Sequence, residues 1–229
     1  LLKLMQVGWP VVTAHGPGNP RLRFGIGVSI WQLNTEMWLS EADVRLCAKF
    51  VFDMEFIGNI TDGHANCHPW EIAVLCVDTN QKFYCPIMPQ MPKDNIENAY
   101  TSTDEFSYRL LKKLNAQSPG AAYRMLADWI HKMVNLCHKN TALMISHNCF
   151  ASDMPILCRQ MHISGASFVC PVLFFDSLLF CRYSFRGNKS GNFSLDSLFE
   201  LCKGSNDSAD MVQHRAISDT RKLHAVLLP

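Results

Sequence analysis

The sequence has no hydrophobic run long enough to cross a bilayer. Its longest apolar stretch, "SFVCPVLFF", is broken by Pro171, whereas a spanning helix needs about 20 apolar residues. No membrane partner is therefore expected. It has no Cys-x-x-Cys, the commonest spacing of a structural zinc site. It has no excess of charge: 21 Lys and Arg stand against 20 Asp and Glu, a net charge of +1. Any nucleic-acid partner must then be gripped by a local basic patch. Internal repeats and low-complexity tracts are lacking too. No signal peptide is visible, and the chain opens Leu1-Leu2-Lys3 without Met, which suits an excised domain or a processed product.

What the chain has is enough apolar content to bury a sizeable core: 229 residues, 48% of them hydrophobic. The 10 cysteines are scattered, mostly in apolar stretches such as "IAVLCV" and "SLLFC". Reduced, buried thiols acting as small hydrophobes explain that pattern, and place the chain in an intracellular, reducing compartment. The nearest approach to a zinc cluster is "HANCH", with His64, Cys67 and His68 in a polar loop. A second ligand pair at a usual spacing is missing from it.

Along the chain, breakers Pro10, Gly16, Pro17, Gly18 and Pro20 make the first 24 residues irregular. "GVSIWQL" reads as a short strand. "SEADVRLCAKF" is a helical turn leading into "FVFDMEFIGN", an apolar run with strand composition. "WEIAVLCVD" and "KFYCPIM" follow as strands. Ser102 and Glu105 form a capping box before "FSYRLLKKLN". "AAYRMLADWIHKMVNLCHK" has helical apolar spacing, and "TALMIS" is a strand. "SDMPILCRQM" starts a helix with Pro155 tolerated in its first turn. "FVCPVLFFD" is a strand, "SLDSLFELC" a helix and "ADMVQHRAISDTRKLHAVLL" a final helix. Strands followed by helices predict an α/β layered domain.

Three acidic signals stand out. In "FVFDMEFIGN", Asp53 and Glu55 are two apart in a strand and share a face. Two carboxylates so placed repel unless a cation lies between them or both reach water at a strand end. In "LMISHNCFASDMPIL", Asp153 opens a helix just after a strand end, where α/β sheets bind ligands; Asp153 or Ser152 would equally serve as a helix cap. In "HRAISDTRKLHAVL", His214 and Asp219 are about 140° apart on a regular helix. They converge only if His214 sits at or before the helix start; otherwise this is a solvated helix.

Taken in order, these signals resemble the DEDDh 3′→5′ exonucleases over residues 48 to 228. "HNCFASDMPIL" resembles the second motif in its longer-spaced form, as in the three-prime repair exonucleases. "HRAISDTRKL" resembles the third motif of proofreading exonucleases, and "FFDSL" also fits. The resemblance implies an α/β, RNase H-like mixed central sheet flanked by helices. It divides the chain into a DEDDh exonuclease domain, 48–229, and an N-terminal extension, 1–47, of unassigned role. By the same resemblance, Asp53, Glu55 and Asp219 would hold one divalent ion, with Asp53 and Asp153 serving a second. His214 would be the general base. Magnesium, or manganese, suits such hard oxygen ligands. Two ions about 4 Å apart would stabilise both oxygens of an in-line displacement. The implied activity is metal-dependent release of nucleoside 5′-monophosphates from single-stranded or frayed 3′ ends.

Glu55-Phe56-Ile57-Gly58 departs from the small or hydroxylated residue that many members carry after the Glu. Glu-Phe-x-Gly resembles deadenylases and tilts the substrate toward RNA. Phe56 would stack on the terminal nucleotide or lie in the core on the strand's other side. Gly58, His147, Asn148 and Arg215 are the other candidate substrate contacts, Arg215 through a phosphate; His147 would equally be structural. "RYSFRGNKSGN" interleaves Arg182, Arg186 and Lys189 with Tyr183 and Phe185, a composition suited to a substrate-touching loop or to a solvated one. The expected partner is RNA or DNA with a free 3′ end, together with a polymerase or other replication protein. DNA proofreading, an idle nuclease fold used for binding, and a zinc module around "HANCH" are the rival readings.

Overall fold

A computed structural model of the chain describes residues 9–10, 12–14, 38–39, 41–97, 106–184, 192–202 and 215–227. In chain order the elements are β1 (Trp9–Pro10), β2 (Val12–Ala14), β3 (Trp38–Leu39), α1 (Glu41–Arg45), β4 (Cys47–Ile57), β5 (His68–Cys76), β6 (Lys82–Pro86), α2 (Lys93–Glu97), α3 (Tyr108–Lys113), α4 (Pro119–Leu136), β7 (Thr141–Ser146), α5 (Asp153–Ile163), β8 (Val172–Asp176), α6 (Ser177–Ser184), α7 (Leu195–Cys202) and α8 (Ala216–Leu227).

Six strands form one sheet in the order β2-β8-β7-β4-β5-β6. β4, β5 and β6 are an antiparallel meander. β7 and β8 continue from β4 in parallel, and β2 closes the far edge antiparallel to β8. A long strand β4 at the centre, the meander on one side and the parallel strands on the other make the RNase H-like mixed sheet. The parallel strands are the ones that need helical crossovers, and α4 and α5 supply them. β2 lies within residues 1–47, so part of that segment is built into the sheet. A separate two-stranded pairing joins β1 to β3.

Side chains on β4 alternate between two cores. Phe50, Phe52 and Met54 pack with α4 and α5, through Tyr123, Leu126, Ile130, Met154 and Leu157. Phe52 and Phe174 meet edge to face at 6.0 Å. Val51 points to the other face and packs with Leu143, Ile145, Leu223 and Leu227, which brings α8 down on the sheet. Asp53 and Glu55 follow the parity of Val51 and so face α8. Burying side chains of this kind contributes about 1.5–3 kcal/mol each, which is why the two helical layers lie where the apolar faces direct them. α4 is capped by Ser118, whose Oγ accepts from the Ala121 amide, with Pro119 in its first turn.

Several local expectations shift. "GVSIWQL" and the Ser102–Glu105 box lie outside the described residues. The helix after that box begins at Tyr108 under a cap from Ser107 Oγ, which accepts from the Leu110 amide at 3.1 Å. Arg182, Tyr183 and Ser184 complete α6; residues 185 to 191 of the "RYSFRGNKSGN" segment lie outside the described residues. The "GNITDGHANCHP" loop is wound into two short 3₁₀ turns. All ten cysteines are free thiols. Among the described residues, no helix is long and apolar enough to cross a membrane.

Candidate metal centre

β7 pairs with β4 only along Cys47 to Val51. The second half of β4 therefore runs on past the carboxyl end of β7 and carries Asp53 and Glu55 into the crevice there. A bulge between Glu55 and Phe56 ends the regular pairing with β5, and such bulges re-aim side chains. α8 crosses this face. Its first turn brings Asp219 to the pair, and the carboxylate oxygens of Asp53, Glu55 and Asp219 lie within 4.8 Å of one another. Glu55 is buried, and the other two are half-buried.

The fourth acid reaches the site differently. β7 ends at Ser146, and the chain turns sharply through Asn148, whose φ of 61° is left-handed. Asn148 is exposed, and its carbonyl accepts from the Ala151 and Ser152 amides and from Ser152 Oγ. The turn delivers Asp153, 3% exposed, to the start of α5. Its Oδ1 accepts from the Met54 amide (3.1 Å), and its Oδ2 from Ser146 Oγ and Ser152 Oγ (2.8 Å each). Asp153 thus pins the α5 start to β4 between the two acids of that strand.

Electrostatics record the crowding. Asp53 titrates well above the usual carboxylate range because burial strips its water and Asp153, then Glu55, Asp219 and Glu71, repel its charge. Asp153 is pushed up to about 6, chiefly by burial, with its hydrogen bonds pulling the other way. Hard oxygen donors that converge and repel fit a divalent cation, which would relieve the strain. Among the described residues a lysine already answers part of that charge. Lys222 Nζ, on a side chain only 6% exposed, lies 2.8 Å from Asp219 Oδ1 and 2.7 Å from Asp196 Oδ1 of α7.

His214 lies outside the described residues. α8 begins at Ala216, two residues after it in sequence.

The expected substrate contacts divide. Gly58 is a backbone necessity: its φ is +100°, and a Cβ there would stand 2.4 Å from the Asn66 carbonyl oxygen. Phe56 is half-buried against the α4–α5 core, on the opposite side from Glu55. His147 is tied at both ring nitrogens, Nδ1 to Ser177 Oγ (3.0 Å) and Nε2 donating to the Phe193 carbonyl (2.9 Å). Burial lowers its pKa, although the Phe193 bond and Asp176 oppose the shift. Arg215 turns inward. Its Nε donates to Glu71 Oε2 at 2.8 Å and its Nη2 to Tyr84 Oη at 2.9 Å.

Two acids had no assigned role in the sequence and have one here. Glu71, wholly buried on β5 directly opposite Glu55, holds Arg215 and also accepts the Ala216 amide at 2.9 Å. Asp176, in "FFDSL", accepts from the Phe150 amide and caps α6 at Leu178 and Leu179; it thereby holds the turn that leads to Asp153. The zinc reading of "HANCH" is not what the structure brings together. His64 Nε2 donates to the Ala151 carbonyl (2.8 Å), Cys67 is buried, and these residues form no metal-ligand cluster. A second triplet of possible ligands, Cys76, Asp78 and Cys137, lies at the other end of β5; its Asp78 is paired with Lys49.

No protein-family model matches the chain, and no curated protein matches it. Among solved structures, the crystal structure of cell-death related nuclease 4 is similar, at a TM-score of 0.48 and 10% identity, over 79% of this chain. The chain spans 62% of that one. A likeness so distant carries no functional weight, and the site stands on its own geometry.

Proposed function

We propose that the chain is a metal-dependent 3′→5′ exonuclease that releases nucleoside 5′-monophosphates from single-stranded or frayed 3′ ends. The observation that carries this is the convergence of Asp53, Glu55 and Asp219, from a central strand and the last helix, with Asp153 electrostatically beside Asp53. Asp53, Glu55 and Asp219 would hold magnesium or manganese, and Asp53 with Asp153 would serve a second ion. Bound there, such cations stabilise the charge that develops on a phosphate under in-line attack.

The protein's own groups do the rest. His214 takes a proton from the attacking water, a task suited to an imidazole near neutral pH. The water oxygen bonds to phosphorus, the P–O3′ bond breaks, and the departing O3′ takes a proton from solvent, so the shortened strand ends in a 3′ hydroxyl. Lys222 bridges Asp219 to Asp196 of α7 and so places a fixed positive charge beside the acidic cluster. The tilt toward RNA, with DNA the alternative, rests on the likeness of Glu55-Phe56-Ile57-Gly58 to deadenylases alone, because Phe56 packs against the α4–α5 core.

The test is incubation of 5′-labelled RNA and DNA, single- and double-stranded, with and without magnesium. A ladder shrinking from the 3′ end, abolished by chelator, is expected. Cleavage that begins internally or survives chelation contradicts the proposal.

A further inference from the structure

Glu71 and Arg215 stand 144 residues apart and meet in a buried pair. Glu71 is 0% exposed, and the Arg215 side chain 17%. Each Glu71 oxygen has a separate task. Oε2 accepts from Arg215 Nε and, at 3.4 Å, from Tyr84 Oη. Oε1 accepts from the Ala216 amide, the first residue of α8. The Arg215 guanidinium also lies over the Trp70 ring, 5.7 Å from its centroid, and reaches Tyr84 Oη. Five residues on β5, β6 and the start of α8 thus form one network. A helix N-terminus favours a carboxylate, and here the carboxylate comes from the sheet below.

A buried carboxylate is costly unless it is paired and hydrogen-bonded. Its place explains why the chain bears that cost. Glu71 is the direct cross-strand neighbour of Glu55, and Asp219 lies in the first turn of the helix that it holds. Any slip of α8 along the sheet would move Asp219 relative to Asp53 and Glu55. It would also move the backbone to which His214 is joined by the peptide bond before Arg215.

We infer that Glu71, with Arg215 and Tyr84, is a latch that fixes the start of α8 against the sheet, and that Arg215 is a positioning residue and not a phosphate contact. The inference rests on the exonuclease reading for its catalytic consequence alone; the latch itself is a property of the fold.

The experiment compares wild type with Glu71→Gln, Arg215→Ala and Tyr84→Phe on a labelled single strand at saturating magnesium. It is paired with amide hydrogen exchange of the same proteins without nucleic acid. Glu71→Gln keeps the shape and an acceptor for Ala216 while removing the charge, and Tyr84→Phe removes a single hydroxyl, so at least one variant retains the fold. The latch predicts a kcat about 10- to 100-fold lower in Glu71→Gln and in Arg215→Ala. KM should stay within about twofold, the salt dependence of strand binding should be unchanged, and exchange should quicken at residues 216 to 219. Tyr84→Phe should show the same pattern more weakly. A phosphate role for Arg215 predicts the opposite: KM rises, kcat holds and the salt slope shrinks in Arg215→Ala alone. That result, or unchanged exchange at the α8 start in Glu71→Gln, overturns the latch. An inactive wild type would overturn the exonuclease reading, and the exchange data would still decide the latch.

Discussion

Lys222 and Asp219 are one helical turn apart on α8, and the lysine ammonium lies 2.8 Å from the carboxylate that also faces Asp53 and Glu55. The lysine is buried; burial pulls its pKa down, but bonds to Asp196 and Asp219 more than offset that and leave it raised. A fixed cation therefore shares Asp219 with any divalent ion. Lys222→Met should lower metal-free stability, by about 1–3 kcal/mol for hydrogen bonds to charged groups, and should tighten manganese binding. Melting with and without manganese checks both: the manganese-induced rise in Tm should be larger in the variant than in wild type. A smaller rise would show that Lys222 helps to bind the metal by orienting Asp219.

Asp53 bears the repulsion of four other acids. Asp53→Asn should raise metal-free stability by on the order of 1 kcal/mol at pH 7 while abolishing metal-dependent turnover. The sign with pH follows from a folded pKa raised above its unfolded value. The folded state then holds the proton more tightly, so ionisation costs stability as pH rises from about 4. The gain from Asp53→Asn should accordingly shrink as pH falls from 7 to 5 in denaturant titrations. A gain that grows on acidification would contradict the crowded site.

Asp153 differs from Asp53 in what it holds. Removing its carboxylate strands the Met54 amide and the Ser146 hydroxyl, while Ser152 Oγ keeps the Asn148 carbonyl as its acceptor. Asp153→Ala should cost about 1–3 kcal/mol or more along with activity, whereas Asp53→Ala should lose activity with the fold intact. Urea midpoints of the two variants decide it, and equal midpoints would remove the structural role of Asp153.

Gly58→Ala places a Cβ 2.4 Å from a backbone oxygen at a φ of +100°. Strain of this kind costs about 1–3 kcal/mol before the clash is counted. A Tm within a degree of wild type would show that the loop simply shifts.

The layers of the fold were legible because periodicity is local: "TALMIS", "KFYCPIM" and the α4 stretch carry their own signatures, and Asp53, Glu55 and Asp219, which the fold brings together, each stood in one of the acidic signals. Glu71 was not, although the reasoning that exposed Asp53 and Glu55 applies equally to an acid inside "WEIAVLCVD". Its partner lies 144 residues away, and no local pattern joins the two. The sequence assigns Arg215 to a phosphate, and nothing local in it shows that its guanidinium meets Glu71 and Tyr84. Lys222 carries no signal of its own in the sequence, yet its ammonium is drawn inward by Asp219 and Asp196. β2 was hidden by its three-residue length among breakers, and only the edge of β8 shows where it belongs.

The central claim is a carboxylate metal centre with a separate base, and calorimetric titration of manganese into wild type, Asp219→Asn and His214→Ala tests it most directly. Wild type should bind. Asp219→Asn should bind at least about tenfold more weakly, since it removes a negative oxygen ligand, and His214→Ala should bind nearly as wild type while losing most of its turnover. Manganese that fails to bind wild type, or that binds Asp219→Asn as tightly, would contradict the account.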